Sequence, residues 1–273
     1  MMSSAYFTAA DHAALAEYPH GAGQPVSEAI QIVHDKLYEL HISLHRRMRD
    51  QNWDLHPHWD RQHLIVPRSA ALNAATQDAT MRGLTLSYLR SKEHAQLVER
   101  LTGREGAGSH LTLDSNRHPV IEVRVTPENL VVELVLSPSA WWDQRNLIGK
   151  VSVARHRETL RGLLQRMNGD FFFGFWEGVT LSEQHLTNRQ LLRGNVFDEW
   201  MSTFADGQDW LRVGVWYVPE EEHLRTERIV SELVTRIGAL YNLYNFTLWT
   251  SNNNFQTFYR GHGSARMSSG REF

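Results

Sequence analysis

Cysteine is absent from this chain of 273 residues. Disulfide frameworks, thiolate zinc sites, iron–sulfur clusters and cysteine nucleophiles are therefore excluded. Lysine is also scarce, because the 28 basic residues include only Lys36, Lys92 and Lys150, and arginine supplies the rest. This bias fits either recognition of carboxylates and phosphates by guanidinium groups or a GC-rich coding bias, and the coding bias is favoured. A Schiff-base lysine must be one of the three.

Long apolar runs and an excess of positive charge are missing as well. No run approaches the ~18 apolar residues of a membrane span. The N-terminal segment carries Asp11, His12 and Glu17 and lacks the apolar core of a signal peptide. A net charge of -3 gives no general attraction for nucleic acids or anionic membranes. We therefore expect a cytoplasmic protein without a membrane partner; a local basic patch would still allow a nucleic-acid partner, which is not favoured.

The clearest fold signal lies in residues 117–149. Alternating apolar residues predict strands over 120–126 and 130–136, joined by a turn at 127–129, and Ser137 followed by Pro138 predicts the start of a helix. Apolar residues at three- and four-residue spacing predict a strong helix that begins near residue 25, and a second long helix over 219–245. The predicted fold class is α+β, with a mainly antiparallel or mixed central sheet flanked by several long helices.

The pattern indicates one main domain. Residues 1–24 end in a glycine-rich stretch and are expected to be a loosely ordered lead-in. Residues 25–259 are expected to form a single α+β domain, with a possible sub-boundary at the flexible stretch 103–109. Residues 260–273 are rich in glycine and serine and are expected to be a disordered tail.

An aromatic cleft is the leading functional hypothesis. Adjacent tryptophans on a helix point about 100° apart, so Trp142 can line a cleft together with Arg145 and Asn146, unless the helix is simply packed on two sides. Trp249 precedes a run of three asparagines that includes Asn253, and this run forms either a tight turn or part of the same polar site. These residues would make a binding or accessory protein whose ligand, a small molecule or a protein, is unidentified.

A metal-dependent phosphodiesterase or nuclease is the first alternative. Asp114 precedes a strand that carries Glu122 and Arg124, and two carboxylates with a nearby cation are what such an enzyme needs. Glu122 and Arg124 are two residues apart and face the same side of the sheet. The favoured interpretation of these residues is nevertheless a solvent-facing ladder that includes Glu133 across the hairpin.

A histidine-ligated metalloprotein is the second alternative. His41 and His45 have the four-residue spacing with which two helical ligands share a metal, and His56 and His58 follow in the next segment. A row of half-buried, hydrogen-bonded histidines explains the same pattern and is favoured. Patterns typical of P-loops, nucleophile elbows, dinucleotide-binding loops, kinases and EF-hands are absent. The cofactor, if the protein uses one, is unknown, and whether the protein is an enzyme stays open.

Overall fold

A computed structural model describes residues 4–16, 27–69, 81–101 and 113–255. Within these ranges eight strands form one antiparallel sheet in the order β1-β3-β4-β5-β8-β6-β7, and β2 also pairs with β3. The strands are β1 His56–Pro57, β2 Ile65–Ser69, β3 Met81–Leu89, β4 Val120–Val125, β5 Leu130–Leu136, β6 Phe172–Phe175, β7 Leu186–Thr187 and β8 Leu211–Tyr217. The predicted α+β class with an antiparallel sheet is confirmed.

Eight α-helices accompany the sheet in the described residues. They are α1 Ala9–Ala16, α2 Glu28–Asp50, α3 Lys92–Leu101, α4 Trp141–Val151, α5 Ala154–Arg166, α6 Asn188–Leu191, α7 Val196–Ser202 and α8 Ile229–Thr247. None of them is long and apolar enough to cross a membrane.

One face of the sheet is covered by the two longest helices, α2 and α8. α2 is the helix that the apolar spacing predicts, and the Ser27 hydroxyl caps it by accepting from the Ile30 N–H at 3.3 Å. α8 packs on β4 and β5, and α2 packs on β3. We call this the helix-covered face; its buried core residues include Leu37 of α2, Val123 of β4 and Leu134 of β5.

The opposite face of the sheet is also buried, but it carries charge. The register places Glu122 of β4 opposite Glu133 of β5, and Glu133 opposite Gly214 of β8. Gly214 leaves room for Glu133, because a Cβ there would lie 2.5 Å from the Glu133 Cβ. With Arg124 and Arg212, these side chains form what we call the ionic network, and each is at most 4% exposed. We call this side of the sheet the ionic face.

The prediction of a solvent-facing ladder at Glu122, Arg124 and Glu133 is therefore wrong. The chain that follows β6 folds back over these side chains. The Val179 carbonyl accepts a hydrogen bond from Arg124 Nη2 at 3.0 Å. The Trp176 ring lies 5.8 Å from the Arg212 guanidinium carbon. Polar alternation reveals which side chains share a face, but it does not reveal what covers that face.

Two predicted helix starts differ from the structure. α4 begins at Trp141 instead of Ser137, because the Ser137 hydroxyl donates to the Asn116 carbonyl and serves the turn before the helix. α8 begins at Ile229 instead of 219, because Glu220 has a φ of 69°, which a right-handed helix does not allow. α8 also continues to Thr247, beyond the predicted end at residue 245.

The predicted segment boundaries are only partly within the described residues. Of the lead-in 1–24, residues 9–16 form α1, and its Asp11 accepts a hydrogen bond from Lys36 Nζ of α2 at 2.6 Å. The stretch 103–109 and the tail 260–273 lie outside the described residues.

Candidate functional site

A cleft of about 270 Å³ lies between α3 and the chain that follows α8. Leu97, Val98 and Leu101 of α3 form one wall. Trp249 and the turn after it form the other. We call this the Trp249 cleft; its lining is completed by Asp54, Arg90, His94, Leu248, Thr250, Ser251 and Asn252. Apolar walls with a few polar groups are typical of sites for small organic ligands.

Arg90, directly after β3, fixes the position of Trp249. Its Nη2 donates to Asp143 Oδ1 of α4 at 2.5 Å, and its Nη1 donates to the Trp249 carbonyl at 3.1 Å. The same Asp143 oxygen accepts from the Trp249 N–H at 2.7 Å. The Arg90 and Asp143 side chains are 3% and 1% exposed. A buried ion pair with these backbone bonds holds the Trp249 backbone in one place.

Two polar side chains fasten the C-terminus of α8 behind the cleft. Asn146 Nδ2 donates to the Leu248 carbonyl at 2.9 Å. Lys150 Nζ donates to the Phe246 carbonyl and to Asn253 Oδ1, both at 2.6 Å. They satisfy carbonyls that a helix end leaves without partners. Burial lowers the pKa of Lys150 to about 8, although the negative charge of Asp143 opposes this shift.

The predicted cleft residues are only partly brought together. The Trp142 ring lies 5.8 Å from the Trp249 ring, so these two aromatics share one region. Arg145 is exposed, donates to Asp206 Oδ2 at 3.1 Å and lies over Trp141, away from the cleft lining. Asn146 and Asn253 support the turn from behind. The roles of these five residues in binding stay predictions.

The sequence analysis missed Arg90 and the α3 wall. Arg90 directly follows β3 and precedes Ser91, which caps the start of α3, and such connecting positions often carry functional groups. Leu97 and Leu101 are 42% and 53% exposed, although Ala95 and Val98 of the same helix are buried. Leu97 and Leu101 therefore lie outside the buried stripe of α3, and apolar residues in such positions are the sequence pattern that could have predicted this wall.

The rim of the cleft carries a carboxylate between two histidines. Asp54 Oδ1 lies 2.7 Å from His56 Nε2, and Asp54 Oδ2 lies 3.4 Å from His94 Nδ1. All three side chains are more than 40% exposed. Such exposed pairs contribute little to stability, so they are available to a ligand at the mouth of the cleft.

The histidines proposed as metal ligands have other partners. His41 Nδ1 lies 3.0 Å from the Tyr88 hydroxyl, and the His41 ring stacks on His45 at 5.5 Å. Burial, followed by the charge of His45, lowers the pKa of His41 to about 4. His58 Nδ1 accepts from the Asp60 N–H at 3.3 Å. Across the described ranges no three potential ligands are grouped to hold a metal ion.

The nuclease residues have separate environments. Asp114 is 45% exposed at its side chain, and its Oδ1 caps the 3-10 turn Ser115–Arg117 by accepting from the Asn116 N–H at 2.9 Å. Glu122 is buried and accepts from Arg124 Nη1 at 2.9 Å. Arg124 pairs with both Glu122 and Glu133, so the second carboxylate at this guanidinium is Glu133 and not Asp114.

No protein-family model matches the chain, and no curated protein matches it significantly.

Proposed function

We propose that this protein binds a small organic molecule in the Trp249 cleft. The observation that carries the proposal is a concave space of about 270 Å³ with an aromatic wall whose backbone is held in place by buried polar groups. This volume is close to the lower end of the range for small-ligand sites, roughly 300 Å³. A wall fixed before binding lowers the entropy that association costs.

The lining indicates the kind of ligand. The leucines of α3, Leu248 and the Trp249 ring offer a mainly apolar surface, so the buried part of the ligand is apolar and preferably flat. The polar edge of the ligand meets the Thr250–Asn252 turn and the Asp54 carboxylate at the rim. The Arg90 charge is already neutralised by Asp143, so a negative charge on the ligand is not required. The cytoplasm remains the expected compartment.

A fragment screen tests the cleft directly. The wild type is screened by ligand-observed NMR against small aromatic and heteroaromatic fragments that carry one polar group. The screen is repeated with Leu97→Arg, which places a long charged side chain in the cleft. The matched control is Ile32→Arg on α2, because Ile32 is 48% exposed and Leu97 is 42% exposed.

We expect that only Leu97→Arg, the substitution in the cleft, weakens fragment binding. Fragments that bind the wild type should bind Ile32→Arg equally well and Leu97→Arg at least ten-fold more weakly. Binding that is unchanged in Leu97→Arg, or a screen without any binder sensitive to this substitution, contradicts the proposal.

A further inference from the structure

The side of α2 that faces away from the sheet carries exposed apolar residues. Three of the six large apolar side chains that stand exposed in the described residues belong to this helix, namely Ile32, Tyr38 and Ile42. Leu44, which is buried in the core, is two residues from Ile42, so these two side chains point about 160° apart. Ile42 is therefore central on the side that faces away from the core.

The charges on this side change sign along the helix. Asp35 precedes Ile42 by seven residues and Arg49 follows it by seven, and seven residues are about two turns, so all three point in nearly the same direction. The Asp35 side chain is 66% exposed, and Arg49 is also exposed. Exposed Glu39 adds negative charge before Ile42, and exposed Arg46 adds positive charge after it.

The charged residues that break this order lie toward the sides of the helix. Lys36, Arg47 and Asp50 point about 120°, 140° and 80° away from Ile42. Lys36 Nζ also donates to Asp11 of α1. We call the residues of 35–49 that lie within about 60° of Ile42 the outer α2 face; they are Asp35, Tyr38, Glu39, Ile42, His45, Arg46 and Arg49.

The outer α2 face is complementary to a second copy of itself. If two α2 helices pair antiparallel about a two-fold axis at Ile42, residues equally far from Ile42 in opposite directions lie at the same level. Asp35 of one copy then meets Arg49 of the other, and symmetry produces this pair twice. The apolar side chains of Tyr38 and Ile42 lie between the two ion pairs. A parallel pair would instead place each charge beside its own copy.

We propose that the outer α2 face is the contact of a homodimer in which two α2 helices pack antiparallel, centred on Ile42. One helix from each copy makes a small contact, and small interfaces are typical of transient complexes. The dimer is therefore weak and depends on protein concentration and on salt, which screens exposed ion pairs. The proposal does not rest on the Trp249 cleft, whose lining contains no residue of the outer α2 face.

Sedimentation equilibrium tests whether the chain dimerises. The wild type at low salt should change from monomer to dimer between about 1 and 500 μM, and added salt should raise the dissociation constant. Ile42→Arg should raise that constant at least ten-fold. Val218→Arg is the matched control, because Val218 is 56% exposed and Ile42 is 50% exposed, and it should dimerise as the wild type does. A wild type that stays monomeric, or dimerisation that Ile42→Arg leaves unchanged, overturns the proposal.

A charge exchange tests the antiparallel arrangement. Asp35→Arg places two cations at one level, and Arg49→Asp places two carboxylates there, so each substitution alone should raise the dissociation constant about ten-fold. The double variant Asp35→Arg/Arg49→Asp restores opposite charges at both levels and should dimerise as the wild type does. Melting temperatures check that all three variants fold. A double variant that dimerises no better than the single variants overturns the antiparallel arrangement.

Thiol cross-linking tests the position of the two-fold axis, since the chain has no cysteine of its own. Ile42→Cys places the two introduced thiols beside the axis, and mild oxidation should join them. Ile32→Cys is the matched control on the same helix, because Ile32 is 48% exposed. Its thiols would be roughly 30 Å apart in the antiparallel pair, from a rise of 1.5 Å per residue. Cross-linking of both variants, as in a parallel pair, or of neither, contradicts the proposal.

Discussion

The two faces of the sheet are both buried, but they are buried by different means. The helix-covered face packs Leu37, Val123 and Leu134 into an apolar core. The ionic face buries two glutamates and two arginines that neutralise each other through hydrogen bonds of 2.5–2.9 Å. Apolar burial is favourable by itself, whereas a buried charge is tolerated only with its partner. The first face provides stability, and the second face provides polar groups fixed inside the protein.

The largest effect should come from removing the shared carboxylate of the ionic face. Glu133→Gln leaves Arg124 and Arg212 buried without their common counter-ion, and loss of one partner of a buried pair costs about 3–5 kcal/mol. Urea unfolding measures the change. Glu222→Gln, in the exposed pair with Arg228, should change stability little. Equal effects of the two substitutions would show that the network does not neutralise buried charge.

A cavity on the helix-covered face should have the next largest effect. Leu37 is 0% exposed, and Leu37→Ala should lower the free energy of unfolding by about 2–5 kcal/mol. Ile42→Ala on the same helix, where Ile42 is 50% exposed, should stay within about 0.5 kcal/mol of the wild type. Urea unfolding of both variants is compared. A small loss for Leu37→Ala contradicts the packing of α2 on the sheet.

Acid should weaken the helix-covered face through His41, which contacts Tyr88 of β3. The folded-state pKa of His41 is about 4, below the unfolded value, so the unfolded chain binds more protons between about pH 4 and 6.5. Stability therefore rises with pH in this window, by up to about 3 kcal/mol from this residue. The difference between wild type and His41→Gln should shrink as pH falls. A difference independent of pH contradicts a buried neutral His41.

The smallest effect should have opposite signs at two buried threonines. Thr85 on the ionic face is 0% exposed and its hydroxyl has no partner in the described residues, so Thr85→Val should stabilise the protein by about 0.5–1 kcal/mol. Thr247 is also 0% exposed, but its hydroxyl donates to the Tyr244 carbonyl at 2.8 Å. Thr247→Val should cost about 1 kcal/mol. Thermal unfolding of the two variants compares them, and two losses of equal size contradict the unpartnered hydroxyl.

Local patterns predicted the elements better than their ends. The apolar stripe of α2 and the hairpin of β4 and β5 follow from spacing, because one face of each must be apolar to be buried. The starts of α4 and α8 did not follow, because they depend on a bond between Ser137 and a distant carbonyl and on the backbone of Glu220. The role of Arg90 in the cleft also did not follow from local patterns, because its partners Asp143 and Trp249 are far along the chain.

The sequence alone determined the α+β class, the paired strands β4 and β5, the helix α2 and the exclusion of thiol chemistry, because these depend on residue type and short-range periodicity. Only the tertiary structure decided that Glu122, Arg124 and Glu133 are buried and that Arg212 joins them. The same alternation of polar residues describes a strand that faces water and a strand whose charges are covered by a distant segment. The choice is made by residues 176–179, which fold over the sheet from outside the hairpin.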